Sequence, residues 1–517
     1  MKKILLAIVL AAILAATLPV GAFAAEDTVK VNHTLRAGEI TVIDETSDLD
    51  TKLSDGAKED YHPSHRQWNG ISTAVSYGNN IFVAWYTGGD REPHSDNYIA
   101  VAASADNGET WIDPFLIVDP VDTDYGVVLP IFFVNSAGEL FLYYSILPGS
   151  NMWGIRLLNA DGELSKIAYE GPFWCSARTP FVKPTILSDG SVMYVTGDEE
   201  GYSGVYRSTD DGYTYTRVAQ IRSAYTKPAK TYTEASLVEK NDGTLWMLSR
   251  LEYGSLGGME QAFSVDGGLT WTISNGNLDH PFQGPGSRAA FIKLQSGALV
   301  LVTNDNTSAR DNMTVFMSED DGITWPYSIV IDRLISAYPE IYQAPDGKIY
   351  VAYDKGRYTE NSIRLTILTE EDIKAGKFVS SAARDKLTVT KLNPSYADIV
   401  SVNGAFEREY TYSVGTSSNK VRENLPKTFT VTDENGTEYT LSGTWKSAGY
   451  QQDRAGTYVL TFSGEMPNTL LDSYDLLRVS VTLKDGGCNS AIRPTGAILL
   501  TLVAFGAAAA LVCYKKR

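Results

Sequence analysis

Four side chains that can do chemistry interrupt apolar, strand-like runs at matching distances from turns. Glu234 leads the run Ala235-Ser-Leu-Val-Glu239. Sixteen residues on, Arg250 ends Leu245-Trp-Met-Leu-Ser-Arg250. Arg310 opens Arg310-Asp-Asn-Met-Thr-Val-Phe-Met317. Tyr338 sits in Ser336-Ala-Tyr338-Pro-Glu340, ahead of the turn Pro345-Asp346-Gly347. A carboxylate, two guanidiniums and a phenol are side chains that can hold an anion and carry a proton. A hairpin of that length puts Glu234 and Arg250 near one end of the same sheet. For all four to meet, the fold must turn equivalent strand ends toward a common point.

The chain has such a fold in its repeats. Ser318-Glu-Asp320-Asp-Gly322-Ile-Thr-Trp325 has copies at Ser104–Trp111, Ser208–Tyr215 and Ser264–Trp271. In each box Ser and Asp bond nearby backbone groups, Gly supplies a positive φ, and the terminal aromatic is expected to bury against the next repeat. An aliphatic run precedes each box, so the box is the turn of a β-hairpin. The gap between the first two boxes is about twice the later ones, which predicts a degenerate copy near residue 156, where Asn159-Ala-Asp161-Gly162 stands. A period of about 50 residues, with four strands each, is that of a propeller blade. About six periods fit between residues 60 and 380. Equivalent blade positions then converge on one central mouth.

Composition narrows the function. The formal net charge of -18 excludes a nucleic-acid role, which needs a basic face. Three cysteines form no disulfide framework, and five histidines without ligand spacing argue against a metal site. Both ends look topogenic. Met1-Lys2-Lys3, the apolar Ile4 to Val20 and Ala22-Phe23-Ala24 read as a signal peptide cut before Ala25. The apolar run Ala497 to Cys513, closed by Lys515-Lys516-Arg517, reads as a transmembrane anchor with its basic end inside. The expected protein is exported, bacterial and held at the cell surface by that helix.

The expected organisation is all-β: a signal peptide (1–24), a leading segment (25–60), a six-bladed β-propeller (61–383), an Ig-like β-sandwich (384–485) and a transmembrane anchor (494–514). The sandwich rests on short strands such as Phe429-Thr-Val431 and Thr457-Tyr-Val-Leu-Thr-Phe462. These resemble bacterial Ig-like modules.

The propeller resembles the sialidase (neuraminidase) superfamily over about residues 60–375. Glu234 and Arg250 match that family's Glu-led strand and the Arg sixteen residues later. Arg310-Asp-Asn-Met-Thr-Val matches its next arginine motif. Ala337-Tyr338, Asp346-Gly347 and Tyr353-Asp354 match its tyrosine motif. The resemblance implies an exo-α-sialidase-type retaining glycosidase that acts on sialylated glycans and needs no cofactor. Tyr338 would be the nucleophile, since a neutral phenol is not repelled by the substrate's anomeric carboxylate, and Glu234 its base. Arg250 and Arg310 would clamp the carboxylate. The family's first arginine is replaced by Gly70, and Arg66 is the candidate to stand in for it. The general acid would come from the loop Gly88–Tyr98, with Asp96 first and Asp90 and Glu92 as alternatives. A glycosidase for another sugar and a non-catalytic glycan-binding surface protein are the rival readings.

Overall fold

Runs rich in Val, Ile, Phe and Tyr pair with their sequence neighbours into six four-stranded antiparallel sheets, each a meander in chain order. The computed structural model describes residues 61–485 apart from 120–125, 148–149, 199–201, 223–233, 252–257, 275–279 and 405. The expected signal peptide, leading segment and anchor lie outside the described residues. Among the described residues no helix is long and apolar enough to cross a membrane. Contacts divide the chain into two units, one ending at Ser395 and one starting at Tyr396.

Blade one holds β1 (Trp68–Tyr77), β2 (Asn80–Gly88), β3 (Tyr98–Ser104) and β4 (Ile112–Val118). Blade two holds β5 (Val127–Val134), β6 (Leu140–Ile146), β7 (Met152–Leu158) and β8 (Ala168–Ser176). Blade three holds β9 (Thr185–Ile186), β10 (Val192–Gly197), β11 (Tyr202–Ser208) and β12 (Thr216–Arg222). In blade four these are β13 (Ala235–Glu239), β14 (Leu245–Arg250), β15 (Met259–Ser264) and β16 (Thr272–Ile273). In blade five they are β17 (Ala290–Lys293), β18 (Leu299–Asn304), β19 (Met313–Ser318) and β20 (Tyr327–Asp332). Blade six ends the ring with β21 (Ser336–Gln343), β22 (Ile349–Lys355), β23 (Ser362–Leu368) and β24 (Arg384–Lys391). The last strand carries the propeller beyond residue 383, where the composition changes.

Each neighbouring pair of blades buries its own apolar layer. Ile131, Phe141 and Tyr143 of blade two meet Val192 and Tyr194 of blade three. Blades three and four join through Met193, Val195, Leu237 and Met247. The ring closes where Ala74, Val83 and Trp85 of blade one pack on Tyr350, Ala352 and Leu365 of blade six. Sheets with both faces covered leave little exposed apolar surface, which is why these strands read as near-continuous apolar runs.

The four boxes are alike, and each links the third and fourth strands of its blade. In the first, Ser104 Oγ donates to Asp106 Oδ1 at 2.7 Å and accepts from Gly108 N at 2.9 Å. Thr110 N and Oγ1 donate to the two Asp106 oxygens at 2.9 and 2.5 Å. The fourth repeats this through Ser318, Asp320, Gly322 and Thr324 at 2.8, 2.9, 2.8 and 2.6 Å. Asn159–Gly162 holds the equivalent place in blade two. In blade six the helix Glu370–Ala375 replaces the box, with Thr369 and Asp372 forming a capping box.

The box aromatics pack against the preceding blade, contrary to the expectation that they face the next repeat. Trp271 joins the layer between blades three and four, and Trp325 that between four and five. The box glycines show why. They adopt φ of 82° to 99°, and a Cβ on Gly268 or Gly322 would lie 2.8 Å from Met193 or 2.4 Å from Trp246, side chains of the blade before. The turn therefore leans backward around the ring, and only glycine allows that approach.

The second unit is one curled seven-stranded sheet rather than the expected Ig-like pair of facing sheets. Its order is β26 (Glu409–Ser413), β31 (Arg478–Lys484), β29 (Gly456–Glu465), β28 (Glu438–Lys446), β27 (Thr428–Asp433), β25 (Ala397–Asn403) and β30 (Leu470–Leu471). The sheet encloses Ile399, Val431, Leu441, Trp445, Leu460 and Val481. Gly443 and Gly464 are directly paired across β28 and β29, and a Cβ on Gly443 would lie 2.5 Å from the Gly464 Cα. Facing glycines let the strands coil tightly, so the ladder continues around its core instead of breaking into two sheets.

The boxes set an acid limit. Their hydrogen bonds, those from the box threonine first, hold the Asp266 and Asp320 carboxyls down at about 2. A carboxyl held below its unfolded value stabilises fully above that value, and the gain is lost as pH falls through the folded one. Asp320→Asn should therefore lower Tm by a constant amount from pH 6 to pH 5. The gap to the unaltered protein should then close between about pH 4 and pH 2, as thermal melts at stepped pH would record.

Candidate active site

A meander fixes which residues share an end. Starts of first strands, ends of second strands and starts of third strands lie at one end of every blade. The boxes and the Asp-Gly turns lie at the other. Glu234, Arg250, Arg310 and Tyr338 all take positions of the first kind, and the structure brings them together.

Tyr338 is the centre. It lies in a bulge of β21, between the paired positions Ala337 and Glu340, with φ of 51°. A non-glycine residue in this left-handed region is strained, so its surroundings must hold it there. Arg288 does so. Buried just before β17, its Nη2 donates to the carbonyls of Tyr338 and Pro339 at 3.0 and 3.1 Å, and its Nη1 donates to Phe181 O. One guanidinium thus ties blades three, five and six at the axis. Beneath it, buried Lys183 donates to Ala74 O at 3.0 Å and lies 3.7 Å from Glu340. Burial lowers the Lys183 pKa, and the Glu340 carboxylate opposes the shift.

Around the phenol stand four guanidiniums. The Cζ atoms of Arg357, Arg310, Arg288 and Arg250 lie 4.3, 5.0, 5.7 and 6.0 Å from the ring centroid. Arg250 Nη1 donates both to Glu234 Oε2 at 2.9 Å and to Tyr338 Oη at 3.3 Å. The carboxylate and the phenol therefore meet on one nitrogen. Burial works against the Arg250 charge, but Glu234 and Tyr338 outweigh it and hold the guanidinium above its usual range. Arg310 Nη2 donates to Gly286 O at 3.2 Å.

Arg66 does not join this cluster. It is buried in blade one, paired with Asp113 at 2.8 Å, donating to Tyr61 O and lying over Trp85. These partners hold it in the layer shared with blade six. The three candidate acids separate as well. Glu92 accepts from Tyr86 Oη and pairs with Arg357, so it belongs to the cluster. Asp90 pairs with Arg91, and Asp96 lies 3.4 Å from His94. Both side chains are exposed, at 61 % and 64 %.

Two residues of the cluster were not singled out from the sequence. Arg288 reads there only as a charge interrupting a strand, and Arg357 stands in an unremarkable loop, Lys355-Gly-Arg357-Tyr358. The one available signal for Arg357 was Asp354, three residues earlier in the tyrosine motif. The two side chains are paired in the structure. Among the described residues no group of three or more His, Cys, Asp or Glu is placed to hold a metal ion.

Residues 79–351 match the family described as the BNR repeat-like domain, just over half of the chain. A sialidase of Vibrio cholerae serotype O1 is 26 % identical over 152 residues, 26 % of this chain and 20 % of that protein. The chain thus spans about a fifth of the curated relatives it matches. Among solved structures, the Hadza microbial sialidase Hz136 is similar with 18 % identity, a TM-score of 0.49, and coverage of 60 % of this chain and 68 % of the other. The NanB sialidase of Streptococcus pneumoniae is similar with 15 % identity, a TM-score of 0.45, and coverage of 60 % and 70 %.

Arg288→Met would leave two buried carbonyls and one part-buried carbonyl without their donor. It should destabilise the fold by about 2–4 kcal/mol in urea unfolding followed by tryptophan fluorescence. Arg310→Met, with one carbonyl partner, should cost less than ~1 kcal/mol. Equal losses would show that Arg288 does not hold the Tyr338 bulge.

Proposed function

The chain belongs to the BNR repeat-like domain family, and from that premise we propose that it is a glycoside hydrolase of exo-α-sialidase type. The observation that carries the reading is the sharing of Arg250 Nη1 by Glu234 and Tyr338, inside a ring of guanidiniums. A site that only binds an anionic glycan needs the arginines. It does not need a phenol with a carboxylate beside it.

In the proposed reaction the sugar carboxylate docks on the arginines, where planar donors bind it bidentately. Tyr338 Oη attacks the anomeric carbon while Glu234 takes its proton, and the bond to the aglycone oxygen breaks. An acid from the loop between β2 and β3 protonates that oxygen. Asp96 is assigned this part, since Glu92 is engaged as the counter-ion of Arg357. Water then hydrolyses the tyrosyl intermediate, and two inversions give net retention.

Buried charge makes the arrangement effective. Tyr338 and Glu234 are each only 6 % exposed. In such a site fixed donors act on developing charge with little reorganisation. The test is release of the fluorophore from a 4-methylumbelliferyl α-sialoside. Tyr338→Phe and Glu234→Gln should each lower kcat/KM by about 100-fold or more while leaving the fold intact by circular dichroism. Full activity in the Tyr338→Phe variant would sink the tyrosine mechanism. No release by the unaltered, folded protein would move the assignment to another sugar or to binding.

A further inference from the structure

Gly70 and Arg357 belong together, although 287 positions separate them in the chain. A Cβ built on Gly70 would lie 3.0 Å from Arg357 Nη2, and 2.4 Å from the ring of Trp68, which folds across it. Gly70 has no positive φ to explain its presence, so space is the reason for glycine here. The Trp68 ring takes most of that space, and the Arg357 guanidinium lies against it, 5.1 Å from the Trp68 ring and 4.3 Å from that of Tyr338.

The three nitrogens of Arg357 are used unequally. Nε pairs with Asp354 and Nη1 with Glu92. Nη2 is buried and has no hydrogen-bond partner. A buried donor left unpaired is costly, so a position that keeps one is expected to meet an acceptor in some other state. The two carboxylates prevent the side chain from turning to find a partner elsewhere. They also hold the guanidinium charge, outweighing the burial that opposes it.

We infer that Arg357 is a carboxylate-binding residue of this site. Reaching in from the loop after β22, it supplies the guanidinium that the chain lacks at position 70 on β1. Arg250, Arg310 and Arg357 then face one anion. Arg288, whose Nη1 and Nη2 are both spent on backbone carbonyls, supports the floor. This inference rests on the reading above that the substrate is a sugar acid.

The test compares binding of the methyl α-glycoside of N-acetylneuraminic acid with that of its carboxyl methyl ester, by calorimetry on the full chain. The unaltered protein should prefer the acid. In Arg357→Gln that preference should fall by ~10- to 100-fold, the worth of a charge-assisted hydrogen bond, with affinity for the ester changed far less. Removing Arg357 leaves buried Asp354 unpaired and risks the fold. Arg357→Lys keeps a cation beside Asp354 and Glu92 but has no Nη2, and its preference should fall by a similar factor. An unchanged acid-to-ester ratio in both variants would overturn the role of Arg357 while leaving the sialidase reading in place. Equal losses for acid and ester would make Arg357 a packing residue only. If the unaltered protein binds neither ligand, the sugar-acid reading fails, and this inference with it.

Discussion

One strained residue organises the functional end of this propeller. With φ of 51°, Tyr338 costs on the order of 1–2 kcal/mol relative to ordinary strand geometry. In return its ring is held among the guanidiniums of Arg250, Arg288, Arg310 and Arg357. The same bulge recurs in the first strands of blades one and two, where Ile71 and Leu129 have φ of 49° and 57°. Among the described residues, the repeat therefore offers this kink at three places. Only at Tyr338 is it combined with a phenol and with a buried guanidinium gripping the two carbonyls of the kink. Without that grip the strand would relax toward regular pairing with β22, and the phenol would turn away from Arg250.

The two ends of the ring divide the work. At one end the boxes satisfy their own backbone with short side chains and lean on the preceding blade. Local hydrogen bonds and one glycine do most of this, so the motif tolerates variation elsewhere and can be lost from a blade that has a substitute. Blade six shows the substitution. Its helix cap uses Asp372 to accept from Val379 N and Ser380 N at 2.6 and 2.8 Å, the service that Asp320 gives in its box. With strand turns secured at that end, the opposite end can hold charges that do nothing for stability unless they are paired.

This division also explains what the sequence disclosed. The boxes and the blade count were legible because they arise from local pattern: a turn with fixed offsets and a regular period. Glu234, Arg250, Arg310 and Tyr338 were legible because each stands at a fixed offset from a strand or turn. Arg357 was not, because its place is set by contact with Gly70 and Trp68 on a distant strand, and such a contact leaves no local pattern. Arg66 was misplaced for the converse reason. It is near Gly70 in sequence, but it precedes β1, and Asp113, Tyr61 and Trp85 hold its side chain in the layer shared with blade six. The curled sheet of the second unit had the alternation expected of a sandwich. Pairing of Gly443 with Gly464 depends on register, which alternation alone does not give.

The charge arrangement at the mouth follows from its burial. Four guanidiniums around one ring would repel strongly in a low-dielectric pocket if left alone. Each is instead held by fixed partners: Arg250 by Glu234, Arg357 by Asp354 and Glu92, and Arg288 and Arg310 by carbonyls. Asp354 shows the tension. Burial pushes its pKa up, and Arg357 pulls it back. Because the partners are built in, the protein's own residues hold the guanidiniums in fixed orientations. The overall charge of -18 gives the whole molecule the opposite sign to this cluster. The cationic cluster is therefore a local exception, kept by burial and fixed partners within a few ångströms.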